Sequence, residues 1–171
     1  VFHLADENVG YTNSSTYESV TVDASSITAS DTPDVLTIDA SAEADGKLTI
    51  KGGANAETIR ISQSGNFGDT VTSGAGNDTI EVEASGHLTK TDSIDAGTGT
   101  DSLSFVVNST VTDAQFTGLT NIETITTAAN KELVLTLGAE AAEAGITTIT
   151  YAGDAAETLT VGSGFTNDLT V

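Results

Sequence analysis

The sequence predicts an all-β chain wound as a Thr-rich parallel β-solenoid of the β-roll or β-helix kind. Three observations carry this. Short triplets alternating apolar and polar residues recur along all 171 residues, clusters of Gly, Asn, Asp and Ser separate them, and one nine-residue unit repeats at an offset of 23. Period-two alternation marks a half-buried strand, and the intervening residues turn a chain by accepting positive φ or bonding their own backbone. A repeated turn points to stacked coils of about 21 to 23 residues, each with two short strands and two turns. A β-sandwich of antiparallel hairpins is the alternative.

Taken in order, residues 1 to 19 are polar with scattered aromatics (Phe2, Tyr11, Tyr17) and read as an irregular cap or linker. The solenoid domain is expected over residues 20 to 171. Its first strands are Val20–Val22, Leu36–Ile38 and Leu48–Ile50, with Pro33 marking a turn before Val35. Ile59–Ile61, Ile80–Val82 and Leu103–Phe105 follow the repeated turns, which occupy residues 52 to 104, and Leu133–Leu137 and Leu159–Val161 come later. Leu137–Gly145 is Ala- and Glu-rich and is the one helical stretch, too short to persist without packing. Leu169–Val171 reads as the last strand.

Composition excludes several functions. With 25 acidic against 5 basic side chains the net charge is −20, so the clustered Lys and Arg that neutralise nucleic-acid phosphates are missing. Cysteine is absent, which removes disulfides, thiolate catalysis and Cys-type zinc sites. No apolar run approaches the roughly 20 residues of a membrane-spanning helix, and membrane insertion is not expected. Val1 is not Met, and the chain is read as a mature or excised piece of something longer.

Catalytic chemistry is thinly supplied, and no enzyme is expected: His3 and His87 lie far apart, and Lys47, Lys51, Arg60, Lys90 and Lys131 are the whole basic complement. An ice-binding face would need one outward Thr at the same place on many coils, and the varying coil length argues against it. Sequons at Asn13, Asn77 and Asn108 arise by chance in a chain so rich in Ser and Thr.

The repeated unit carries the chemistry. Ser73-Gly74-Ala75-Gly76-Asn77-Asp78-Thr79-Ile80-Glu81 aligns with Ala96-Gly97-Thr98-Gly99-Thr100-Asp101-Ser102-Leu103-Ser104, and Gly52 to Arg60 is a degenerate copy with Glu57 in the Asp position. These units follow the Gly-Gly-x-Gly-x-Asp-x-apolar-x pattern of Ca²⁺-binding solenoids, with Ser73 and Ala96 in place of the first Gly. Glycines let the backbone turn tightly and aim carbonyl oxygens at one point, and the Asp adds a hard carboxylate. Stacking two turns brings together the oxygens that Ca²⁺ requires.

Asp78 and Asp101 are therefore expected to share or flank one Ca²⁺, with carbonyls of Gly74, Gly76, Gly97 and Gly99 and with Asn77 inside the turn. The preceding nonapeptide, Ser64 to Thr72, offers Asp69 as a second candidate on the opposite side of the solenoid, without a good partner. Glu57 is one methylene too long for a full site. The competing reading makes Asp78 and Asp101 Asx-turn residues bonded to local amides.

Residues 64 to 104, with an echo at 52 to 60, resemble the repeats-in-toxin (hemolysin-type) calcium-binding repeat. Phe116-Thr117-Gly118-Leu119-Thr120-Asn121-Ile122-Glu123-Thr124-Ile125 resembles a phrase frequent in bacterial S-layer proteins and large surface adhesins built from Thr-rich β-solenoids. Asn167 to Val171 is similar to the acidic-then-apolar ending of some type I secretion substrates.

The resemblance implies an extracellular, cell-surface location and assembly in external Ca²⁺. The expected function is a structural protein that self-assembles into a calcium-dependent surface layer or filament, its partner a second copy of itself. A calcium-dependent adhesin or carbohydrate-binding module that takes a cell-surface polysaccharide is the alternative, and a passive stalk is a third.

Overall fold

In the computed structural model, residues 1–4, 11–13, 16–17, 19–28, 35–44, 46–63, 67–153 and 155–171 are described. The expected turn at Pro33, the start of the Ser64 nonapeptide and part of the expected cap at 1 to 19 lie outside them. The chain is a parallel β-solenoid. One seven-stranded sheet runs β1 (Phe2–His3), β5 (Leu36–Asp39), β7 (Glu57–Arg60), β9 (Thr79–Val82), β11 (Ser102–Phe105), β14 (Thr124–Thr127) and β16 (Thr148–Thr150). A second stacks β4 (Ser19–Asp23), β6 (Lys47–Lys51), β8 (Thr70–Thr72), β10 (Ser93–Asp95) and β13 (Leu119–Thr120). A third stacks β12 (Ser109–Val111), β15 (Leu133–Leu137) and β17 (Thr158–Val161). Among the described residues the one antiparallel pair is β2 (Tyr11–Asn13) with β3 (Thr16–Tyr17), so hairpins do not build the body and the sandwich alternative falls.

Register shows how unequal coils stay stacked. Thr58 pairs with Thr79, Thr79 with Ser102, Ser102 with Thr124 and Thr124 with Thr148, giving offsets of 21, 23, 22 and 24 residues. The extra residues are absorbed in the turns, since a one-residue slip in a strand would turn its apolar face outward. An outward rank of hydroxyls therefore runs unbroken through Thr37, Thr58, Thr79, Ser102, Thr124, Thr148 and Thr170. Coil-length variation does not break it, contrary to the sequence argument against a regular Thr face.

Inward, Ile38, Ile59, Ile80, Leu103, Ile125 and Ile149 form one apolar column, each at most 2% exposed. Ile50, Val71, Ile94 and Leu119 form the facing column on the second sheet. Burying each such side chain contributes about 1.5–3 kcal/mol, and small β-branched residues suit columns whose members repeat every ~4.8 Å.

The sequence anticipates two strands per coil, but from Ser109 onward the coils carry a third, and the cross-section widens from two faces to three. Phe105, Phe116 and Leu88, all buried, fill that transition. The helical stretch condenses to α1 (Ala139–Ala144), a good helix-forming run. Its first amides are satisfied from the previous coil: Asp113 accepts the N–H groups of Gly138, Glu140 and Ala141 at 2.7, 3.3 and 3.0 Å. The residues at the chain's start join the solenoid too, with Phe2 paired to Ile38 and His3 to Asp39.

Candidate cation site

One corner of the solenoid, where each turn enters the seven-stranded sheet, carries an acidic residue on four successive coils: Glu57, Asp78, Asp101 and Glu123. Strand alternation puts them there. Thr58, Thr79, Ser102 and Thr124 point outward, so the residue before each points in, as does the aliphatic residue after each.

Three of the four carboxylates reach back one coil to an amide, while Glu57 Oε2 accepts the Gly53 N–H of its own turn at 3.2 Å. Asp78 Oδ1 accepts the Glu57 N–H at 2.7 Å, Asp101 Oδ1 accepts the Asp78 N–H at 2.7 Å, and Glu123 Oε2 accepts the Asp101 N–H at 2.8 Å. The structure thus brings Asp78 and Asp101 together as expected. The amides they bond belong to the neighbouring coil, not to the local turn of the Asx reading.

The second oxygens distinguish this file from a simple clamp. Glu57 Oε1, Asp78 Oδ2 and Asp101 Oδ2 are sealed from solvent with no hydrogen-bond partner, in residues that are each 1% exposed. Leaving ionised oxygens buried and unpaired is strongly unfavourable. Burial therefore pushes the carboxyl of Glu57 up to about 7, against the Gly53 amide and with the help of the neighbouring Asp78 charge. Burial likewise raises Asp101 to about 6, opposed by the Asp78 amide and reinforced by the charges of Asp78, Glu123 and Asp95. Asp78 is raised by burial, with the Glu57 amide foremost among the groups pulling the other way.

The opposite wall is made by the position of the repeat's first glycine. Gly52, Ser73 and Ala96 are all buried there, one per coil. Ser73, where the pattern has Gly, turns its hydroxyl toward the carbonyl oxygens of Asp95 and Ala96 at 3.5 and 3.3 Å.

The turn glycines do not aim their carbonyls at the file. Gly74 O accepts the Thr98 N–H at 2.9 Å, and Gly53 O accepts the Ala75 N–H at 3.0 Å, so these carbonyls run along the stack into the next turn. Gly76 O is likewise turned against Gly99 of the next coil, 1.8 Å from where a Cβ there would stand. Gly97 and Gly99 continue the same stacked turn. Asn77 is exposed and its Oδ1 accepts the Thr100 N–H at 3.0 Å, away from the carboxylates.

Asp69 lies at the other side of the solenoid, but it has the partner that sequence reasoning denied it. Its own N–H bonds Asp92 Oδ1 of the next coil at 2.8 Å. Its carboxylate takes the Leu48 N–H at 3.4 Å and the Ser62 N–H and hydroxyl at 3.1 and 2.8 Å. Both oxygens are occupied, which makes Asp69 an inter-coil clamp. In Asp69→Ala three buried donors lose their acceptor, each costing about 1–3 kcal/mol. Urea denaturation should register a loss of at least ~3 kcal/mol, and the exposed Asp168→Asn should register none.

Sequence reasoning missed Glu123, discounted Glu57 and overlooked Asp92. A signal for the first two exists: Glu57-Thr58-Ile59, Asp78-Thr79-Ile80, Asp101-Ser102-Leu103 and Glu123-Thr124-Ile125 are one acid–hydroxyl–aliphatic triplet, repeated once per coil. Among the described residues no three His, Asp or Glu side chains converge on one metal-sized point. The three orphaned oxygens are hard donors that carry negative charge when ionised, the chemistry a divalent cation takes. Comparison with family models, curated proteins and solved structures finds no match to this chain.

Proposed function

We propose that this chain is a structural segment of an extracellular bacterial surface protein, exported by type I secretion. It is a solenoid stiffened by Ca²⁺ that assembles with further copies into a layer or filament. The observation that carries this is the file of buried carboxylate oxygens without partners in a chain of net charge −20.

Asp78 and Asp101 hold the ion through the oxygens left free by their inter-coil bonds. The ion supplies the positive charge that the protein lacks at this corner, where none of the described ion pairs reaches. Neutralising the file removes its repulsion and locks successive coils, so the fold becomes linked to external calcium.

Assembly draws on exposed apolar residues and on strand edges left unpaired, which pair readily with a second copy: Phe2, Ile27, Val35, Val161 and Val171 are exposed. Outward, the ranks of Thr and Ser offer a regular hydroxyl surface and no catalytic group.

Light scattering across a calcium titration with chelator reversal tests the reading. Reversible, calcium-dependent growth in particle size is expected for the wild type and its loss for Asp78→Asn/Asp101→Asn. A particle that stays monomeric at millimolar calcium contradicts assembly, and a calcium-dependent glycan signal from that monomer would make the segment an adhesin module.

A further inference from the structure

We infer that the uncharged half of the outer face of the seven-stranded sheet binds crystalline water, so that the chain attaches to ice. Varying coil length argues against such a face in the sequence, and the strand register removes that objection.

Three rungs form the face. On β11, β14 and β16 the outward residues are Ser102 and Ser104, Thr124 and Thr126, and Thr148 and Thr150, matched rung to rung in two columns. Thr170 continues the first column by one coil. Two residues further along each strand direction comes a small apolar residue, Val106, Ala128 or Ala152. The alternate residues Leu103, Phe105, Ile125 and Ile149 are buried, which fixes the hydroxyl side outward.

Charge marks the border of the face. On the three preceding rungs the second column carries Asp39, Arg60 and Glu81, tied with Glu83 into one ion-paired ladder, and it becomes Ser104 on the next. In a chain of net charge −20, the outward positions of the three later rungs hold no ionisable side chain. Such a surface offers nothing to a cationic or calcium-bridged partner. It matches one that is itself neutral, repetitive and hydrogen-bonding.

The hydroxyls are available. Ser102 Oγ is engaged within the sheet, by Thr79 Oγ1 at 3.2 Å and the Asp78 carbonyl oxygen at 3.4 Å. Among the described residues the other five make no bond to protein, and none of the six residues is buried. Each hydroxyl both donates and accepts, as a lattice water does. The four threonines are β-branched and stiff at χ1, so hydroxyl and methyl are held in order before water arrives.

Spacing points to ice. Strand geometry sets the hydroxyl-bearing residues ~4.7–4.9 Å apart along the stack and ~6.6 Å apart along each strand. Oxygens on the prism face of hexagonal ice repeat at intervals close to both, and over three rungs the mismatch accumulates little. Methyl groups order the water around them without binding it, and the hydroxyls anchor that layer. Carboxylates and guanidinium would orient water about themselves, so the site stops at Glu81.

Uptake into ice tests this. The whole chain in CaCl₂ is partitioned between a slowly growing ice hemisphere and the remaining liquid, and the freezing point is compared with the melting point. The wild type should enter the ice and hold freezing below melting, as should Thr21→Lys, an exposed change on the second sheet. Thr126→Lys, central in the face, and Thr150→Lys, exposed at its rim, should stay in the liquid.

Circular dichroism checks the fold, and if Thr126→Lys fails to fold, Thr150→Lys decides. Light scattering on the same samples reports assembly separately, since the face needs neither a second copy nor the carboxylate file. Exclusion of the wild type from ice, uptake indifferent to both lysines, or an equal loss in Thr21→Lys overturns the inference. Retention on crystalline chitin or cellulose without uptake into ice overturns it too, and gives the face to a polysaccharide.

Discussion

Replacing Gly97 by valine should unfold the middle of the solenoid, while the same substitution at Gly86 should cost little. Both glycines have positive φ, +86° and +92°, and a side chain there carries an intrinsic strain of about 1–2 kcal/mol. Their surroundings differ. A Cβ on Gly97 would stand 1.9 Å from the carbonyl oxygen of Gly74, and that oxygen already holds the Thr98 N–H at 2.9 Å. It cannot retreat without opening the joint between two coils. Around Gly86 nothing lies within 4 Å. Adding overpacking of about 1–3 kcal/mol to the strain, Gly97→Val should lose roughly 2–5 kcal/mol in urea denaturation. Gly86→Val should lose about 1–2 kcal/mol, the strain alone. Equal losses would show that the turns do not stack as described.

The second large effect is a stability that rises on acidification in the presence of chelator. Glu57, Asp78 and Asp101 all have carboxyls raised in the folded chain, Glu57 to about 7 and Asp101 to about 6. The folded state therefore binds protons more readily than the unfolded chain. Their stabilising contribution is complete below the ordinary carboxylate range and is lost as pH rises through about 6 to 7.

The calcium-free protein should accordingly melt several degrees higher at pH 5 than at pH 8. At more acid pH the trend reverses. Burial works against the charge of Asp39, but bonds from Ser41 and Arg60 outweigh it and lower its pKa, so its contribution disappears only there. Relief of general repulsion in so acidic a chain would also favour low pH. Glu57→Gln/Asp101→Asn separates the two causes: the file's effect shrinks in that variant, whereas general repulsion would leave the pH dependence largely intact.

Much of this fold can be read from the sequence, because the triplets are both local and periodic. Leu36-Thr37-Ile38 and Ile80-Glu81-Val82 alternate cleanly and become β5 and β9. The repeat at offset 23 places Asp78 beneath Asp101 without further information. Strands such as Ser93–Asp95 and Ser109–Val111 are less legible, since three residues with one inward side chain hardly differ from a polar loop. Their existence is settled by the neighbouring coil, which supplies both the hydrogen bonds and the apolar column.

The same holds for the site. Asp69 looks solitary along the chain, because Asp92 lies a whole coil away and belongs to no matching nonapeptide. The glycine motif suggests carbonyls turned toward a cation, yet stacking commits the Gly74 carbonyl to the amide of Thr98. Glu57 and Glu123 become visible only when the acid before each strand is compared from coil to coil.

The central claim is that protons and calcium compete for the same sealed oxygens of Asp78 and Asp101. Thermal denaturation with and without millimolar CaCl₂, at pH 8 and again at pH 5, tests it most directly. The account predicts a large rise in melting midpoint with calcium at pH 8, a much smaller one at pH 5, and little at either pH in Asp78→Asn. A calcium effect of equal size at both pH values, or one undiminished in Asp78→Asn, would contradict it and place the ion elsewhere on the acidic surface.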